Sequence, residues 1–155
     1  MNIRRARPSE SEELSALAGS AKALWGYSAQ QLALWSGVLR ISPESIVNKP
    51  TFVAEGYARL IGVAQLDTSA HPWAVECLWI HPSAVRRGVG SLLVRHLLDY
   101  ARANGQAELR VDSDPNAEAF YLSLGARRVG EVAAPIDGQP NRARPQLALS
   151  VENAA

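Results

Sequence analysis

The run Val85-Arg86-Arg87-Gly88-Val89-Gly90-Ser91 joins a β-prone segment to a long amphipathic one. Glycines there let a ligand approach the backbone closely, and the first N–H groups of a helix have no intrahelical partner. Together with the partial positive charge of the helix start and the side chains of Arg86 and Arg87, they suit an anion, a phosphate above all. The same residues also fit a glycine-rich helix start with solvated arginines, and the segment alone does not choose. Two phosphate-binding classes are excluded. A nucleoside-triphosphate loop needs Gly-Lys-Ser or Gly-Lys-Thr, whereas Gly90 is followed by Ser91-Leu92. A dinucleotide fingerprint needs a third Gly or Ala where Leu93 stands, and it follows the first strand of a βαβ unit, not an antiparallel meander. With one cysteine, Cys77, and His71, His81 and His96 scattered, no closely spaced ligand set exists and no metal is expected. Cys77 has no obvious His or Asp partner to activate it, and a free cysteine commonly packs as a small apolar residue.

The elements that must position this loop follow from periodicity. Residues 2–7 read as a short strand, and Pro8-Ser9-Glu10 as a helix start with acidic residues in the first turn. Leu14, Leu17, Ala18, Ala21 and Leu24 share one helical face, and the pattern breaks at Trp25-Gly26-Tyr27. Ser28 with Gln31 three residues on predicts the cap of a second helix, on which Leu32, Trp35 and Leu39 share a face. Ser42-Pro43-Glu44 predicts one more short helix. From residue 51 the period changes: 51–55 and 60–66 form a hairpin around residues 56–59, and 73–80 a third strand ending at His81-Pro82. Leu92, Leu93, His96, Leu97, Tyr100 and Ala101 mark the long helix after the glycines, closed by Asn104-Gly105. Strands at 108–112, 126–132 and 146–151 and a short helix over 116–124 complete the order.

At 155 residues the chain has the length of one domain, 1–155, and its apolar and charged fractions of 47% and 20% are those of an ordinary globular protein. Sixteen Lys and Arg against fifteen Asp and Glu leave +1, so no overall field draws nucleic acid or an anionic membrane; neither is an expected partner. The start MNIRRARPSESEE lacks the apolar stretch of a secretory signal, a lone cysteine forms no internal disulfide, and no apolar run approaches a membrane span. A cytoplasmic location is expected.

The run Glu76-Cys77-Leu78-Trp79-Ile80-His81-Pro82, then Gly88-Val89-Gly90, then NAEAFYLSLG over residues 116–125 resembles the GNAT superfamily of acyl-coenzyme A dependent N-acetyltransferases. The likeness covers the whole chain in element order and residues 75–130 in motif detail. It implies an α+β fold: a bent, mostly antiparallel mixed sheet with helices on both faces and a V-shaped split between the fourth and fifth strands. It also implies acetyl-CoA as cosubstrate and transfer to a primary amine by direct attack in a ternary complex. The family loop usually begins with Gln or Arg where this chain has Val85, which removes one side-chain contact but leaves the backbone amides of Arg86, Arg87, Gly88, Val89, Gly90 and Ser91 for the diphosphate.

The resemblance assigns further roles residue by residue. Leu78, Trp79 and Ile80 match the strand that pairs with the pantetheine arm, as in strand addition, and an amide near Leu78 would hold the thioester oxygen. A preorganised donor to a developing oxyanion contributes ~2.7 to 4 kcal/mol. Asn116 matches a position near the thiol end of the cofactor; a helix cap after Asp114-Pro115 is its other reading. Tyr121 matches the tyrosine that protonates the departing thiolate, since a phenol with pKa about 10 is protonated at neutral pH; packing beside Phe120 is the alternative. Glu76 matches a base that takes the proton of the incoming ammonium, directly or through water, against the alternative of a salt-bridged surface glutamate. Strand alternation puts Glu76, Leu78 and Ile80 on one face and Cys77, Trp79 and His81 on the other. Trp25, Tyr27 and Trp35 form either core or lid packing or an apolar or cation-binding wall for the acceptor. The acceptor is expected to be a small amine or amino acid, with a protein N-terminus, a lysine, or a non-catalytic acyl-CoA sensor as alternatives, and a homodimer is left open.

Overall fold

The computed structural model describes residues 1–154. The element order is β1 (Asn2–Arg5), α1 (Ser11–Ala23), α2 (Ala29–Leu39), α3 (Pro43–Asn48), β2 (Thr51–Gly56), β3 (Arg59–Asp67), β4 (Ala74–Ile80), α4 (Val89–Ala103), β5 (Glu108–Asp112), α5 (Glu118–Ser123), β6 (Arg127–Ala133) and β7 (Ala143–Ser150), with 3-10 turns at Pro8–Glu10, Pro82–Ala84, Pro115–Ala117 and Val151–Ala154. The strands form one mixed seven-stranded sheet in the order β1-β2-β3-β4-β5-β7-β6, in which the β4–β5 ladder is parallel. This is the α+β fold expected of the chain. Its contacts fall into two compact units: residues 1–67 with 76–94, and 68–75 with 95–155.

In the first unit β2 and β3 form a hairpin whose turn is tighter than the expected residues 56–59. Gly56 pairs with Arg59, leaving Tyr57 and Ala58 to turn at φ +46° and +65°. Two left-handed residues in sequence are the backbone of the favoured two-residue hairpin turn, here made without glycine. Val53 and Val63, partners across this hairpin, pack with Leu14, Leu17 and Ala18 of α1 and with Ile41 and Ile46 in a fully buried cluster. Leu24 departs from expectation: α1 ends at Ala23, so the three-and-four spacing has no helix left to act on and Leu24 is 54% exposed.

Gly62, next to Val63 on β3, faces the other side of the sheet. A Cβ there would stand 2.8 Å from Leu93 Cδ1, 3.1 Å from Val89 Cγ1 and 3.2 Å from Ile80 Cδ1. The absence of that carbon lets the first turn of α4 lie directly on the strand. In the second unit β7 lies between β5 and β6, antiparallel to both, with Leu147, Ala148 and Leu149 buried. The parallel β4–β5 pairs are Ala74↔Arg110 and Val75↔Val111. Trp73 and Tyr100 lie 6.1 Å apart by ring centroid.

Candidate active site

The glycine loop begins where β4 stops. The His81 N–H donates to Ile61 O at 2.8 Å, and Pro82 opens a short 3-10 turn. Arg59 Nη2 lies 3.0 Å from His81 Nε2, while His81 Nδ1 accepts from Ser83 N–H at 3.1 Å and lies 2.8 Å from Ser83 Oγ, so the ring is held from both sides at the mouth of the loop. The backbone then turns through left-handed Arg86 at φ +63° and Gly88 at φ +80°, with Arg86, Arg87 and Gly88 exposed and Val89 and Gly90 buried. A non-glycine residue with this φ is uncommon and costs strain, which concentrates in binding loops. The first intrahelical acceptor of α4 is Gly88 O, taken by Leu92 N–H at 3.1 Å, so the amides of Val89, Gly90 and Ser91 precede any intrahelical partner. Nothing stands within 4 Å of where a Gly88 Cβ would be, so the loop presents its backbone to open space. The loop is thus exposed at Arg86, Arg87 and Gly88, and the helix that follows it is seated on Gly62.

Along β4 the expected alternation holds. Cys77 and Trp79 pack against the α1 cluster, and Ile80 turns toward Val89 and Leu93 above Gly62. Burial, with the Glu76 charge beside it, pushes the Cys77 thiol up to about 12, so it is no thiolate at neutral pH. Glu76 is exposed, and its Oε1 accepts from Lys49 Nζ at 2.8 Å. Any ammonium that passes a proton to Glu76 has to compete with Lys49 for the carboxylate.

Trp25, Tyr27 and Trp35 come together, and Lys22, not singled out from sequence, and Trp79, named there only for the backbone of its strand, complete the group. Ser28 caps α2 by accepting from Gln31 N–H at 3.1 Å, which turns the chain so that Tyr27 meets Trp35 edge to face, centroids 4.8 Å apart. Trp79 from β4 lies 6.0 Å from Trp25. Lys22, in the last turn of α1, places Nζ 4.5 Å from the Trp35 centroid, 5.3 Å from Tyr27, 5.6 Å from Trp25 and 5.7 Å from Trp79. All four separations are within the range of cation–π attraction.

Asn116 and Tyr121 belong to the second unit. The cap at this helix start is Asp114, not Asn116: Asp114 Oδ1 accepts from Asn116 N–H at 2.8 Å and from Asn116 Nδ2 at 2.9 Å. Tyr121 on α5 is 5% exposed, and its ring meets half-buried Phe120 edge to face at 5.2 Å. Among the described residues no group of three or more His, Cys, Asp or Glu could hold a metal ion, and no helix is long and apolar enough to cross a membrane.

Comparison with known proteins finds relatives of the sequence and of the fold. The model of the acetyltransferase (GNAT) family matches residues 17–126. The N-alpha-acetyltransferase RimI of Mycobacterium tuberculosis is 39% identical over 77 residues, a stretch that is 48% of this chain and 46% of that protein, so the match spans about half of its length. Among solved structures, a GCN5-related N-acetyltransferase from Rhodopseudomonas palustris superposes with a TM-score of 0.78 at 23% identity, over 96% of this chain and 94% of that one. The PaiA N-acetyltransferase from Thermoplasma acidophilum, solved in complex with coenzyme A, gives 0.75 at 18% identity, over 96% and 98%.

Proposed function

The chain belongs to the acetyltransferase (GNAT) family, and from that membership we propose that it moves an acetyl group from acetyl-CoA to a primary amine by direct attack in a ternary complex. The observation that carries the reading is the loop between β4 and α4, where left-handed Arg86 and Gly88 expose a run of backbone ahead of the first turn of a long helix. Amides of residues 86–91 bind the diphosphate, with Arg86 and Arg87 adding charge. Leu78, Trp79 and Ile80 offer strand backbone to the pantetheine arm, and the family resemblance assigns Asn116 to its thiol end. The cosubstrate supplies the activated acetyl carbonyl.

An alkylamine with pKa about 10.4 arrives as the ammonium, and only its free base attacks a thioester. Glu76 takes that proton on its carboxylate, and the Tyr121 hydroxyl gives one to the leaving sulfur. The aromatic wall of Trp25, Tyr27 and Trp35 supports a small amine or amino acid as acceptor. The named activity of the RimI relative supports the α-amino group of a protein as the second acceptor class. Isothermal titration with coenzyme A, followed by thiol release from acetyl-CoA over a panel of amines and N-terminal peptides, tests the reading. Binding with release for at least one amine is expected; binding without release for any would replace the enzyme by an acyl-CoA binding module.

A further inference from the structure

Four aromatic rings around one ammonium form a box for a cation, and the box around Lys22 has walls from three different parts of the first unit. Trp25 and Tyr27 come from the α1–α2 connection, Trp35 from α2 and Trp79 from β4. Trp79 is also anchored on the α1 core cluster, so at least one wall is fixed by packing and not by the cation it faces. Each ring face attracts a positive charge, the more strongly the less water reaches the pair. Lys22 and the four rings are half-buried, so the box retains access to solvent. Trp79 directly follows Leu78, near which the family resemblance places the amide that holds the thioester oxygen.

The chemistry of the box constrains what it can hold. Aromatic faces favour the protonated form of an amine, whereas the nitrogen that attacks a thioester must be unprotonated. A nitrogen seated in the box is therefore not the nucleophile. We infer that the box receives a second, non-reacting ammonium of the acceptor, and that Lys22 fills this place until the acceptor displaces it. The acceptor class is then a dication, one amine to be acetylated and another positive group to be recognised. This assignment rests on the transferase reading above, but the capacity of the box for a foreign cation does not.

Three of the four tryptophans of the chain, all except Trp73, line the box, so its occupancy is read by intrinsic fluorescence. The full chain and its Lys22→Ala variant are titrated with choline and with the neutral isostere 3,3-dimethylbutan-1-ol, without acetyl-CoA. Choline should give a saturable change and bind Lys22→Ala ~10-fold or more tighter, because removing the resident raises the fraction of protein competent to bind. The isostere should bind neither protein measurably. Equal choline affinity for both proteins, equal binding of the isostere, or no saturable change in the variant would overturn the box as a ligand site. Thiol release with 1,4-diaminobutane and with butylamine then tests the acceptor class: a kcat/KM for the diamine ~10-fold or more above the monoamine supports it, a gap of about 1.4 kcal/mol. Equal values overturn the dication assignment while leaving the transferase standing, and no release with any amine sinks the transferase reading and this assignment with it.

Discussion

Asp114 and Arg142 form an ion pair in which both side chains are 5% exposed, with Arg142 Nη2 3.4 Å from Asp114 Oδ2. The other Asp114 oxygen caps the turn that leads into α5, the helix of Tyr121, while Arg142 Nη1 donates to Ala134 O at 3.0 Å. One buried carboxylate thus ties the start of that helix to the chain entering β7. Arg142→Met leaves the carboxylate without its cation, and losing one member of a buried pair costs ~3 to 5 kcal/mol. Urea unfolding followed by circular dichroism should show a loss of this size; a loss under about 1 kcal/mol, as at exposed pairs, would show that the pair does not anchor the turn.

Gly62 positions the glycine loop from beneath. In Gly62→Ala the new carbon must push back Leu93, Val89 and Ile80, and overpacking of this kind costs ~1 to 3 kcal/mol. Because Val89 and Leu93 belong to the first turns of α4, the displacement reaches the amides proposed to hold the diphosphate. The variant should melt earlier and bind coenzyme A more weakly by isothermal titration. Unchanged affinity in a destabilised variant would separate the loop from its support.

Local patterns made most of the fold and the glycine loop legible, while pairings distant in sequence stayed hidden. Leu14, Leu17, Ala18 and Ala21 are buried because their spacing alone places them on one face. β7 begins at Ala143, earlier than the residue 146 expected from alternation, and so carries Pro145 within it. Its β5 ladder runs from Glu108↔Ser150 to Asp112↔Gln146, so Pro145 lies just past the β5 pairs and its missing N–H breaks none of them. Glycine spacing exposed the loop, since left-handed backbone and close approach have a residue-type signature. Lys22 with Trp79, Gly62 with Leu93, and Asp114 with Arg142 have none: each depends on the tertiary fold to bring ordinary residue types together.

Acid sensitivity should concentrate at Arg4. Its guanidinium donates to Glu10 Oε2 and Glu55 Oε1, both at 2.6 Å, and these bonds hold both carboxyls below the usual carboxylate range. Groups with folded pKa values depressed in this way add stability above their unfolded pKa of about 4.3, and that contribution is lost as pH falls through the folded values. Arg4→Met removes the largest cause of the difference between the folded and unfolded values. Urea midpoints between pH 3 and 7 should fall more gently with acid in the variant than in the parent; parallel curves would show that the Arg4 pairs carry none of the acid dependence.

Tyr121→Phe removes one hydroxyl while keeping the ring that packs beside Phe120. As the proposed proton donor to the departing thiolate, its loss should lower turnover ~10² to 10⁴-fold, the range for general acid catalysis, with coenzyme A affinity nearly unchanged. Titration and single-turnover rates on the same preparation separate the two effects. An unaltered rate would remove the hydroxyl from the mechanism.

Glu76→Gln distinguishes a base from a strut, because Lys49→Met breaks the same 2.8 Å ion pair without touching the carboxylate. If Glu76 accepts the ammonium proton, the amide variant should lose the alkaline-going rise of kcat/KM, whereas Lys49→Met should keep it. If the pair only holds β4 to the end of α3, the two variants should lose stability alike and keep the same profile shape. Exposed pairs of this kind contribute ~0 to 1 kcal/mol, so neither variant should unfold, and pH–rate profiles on folded protein decide between the two roles.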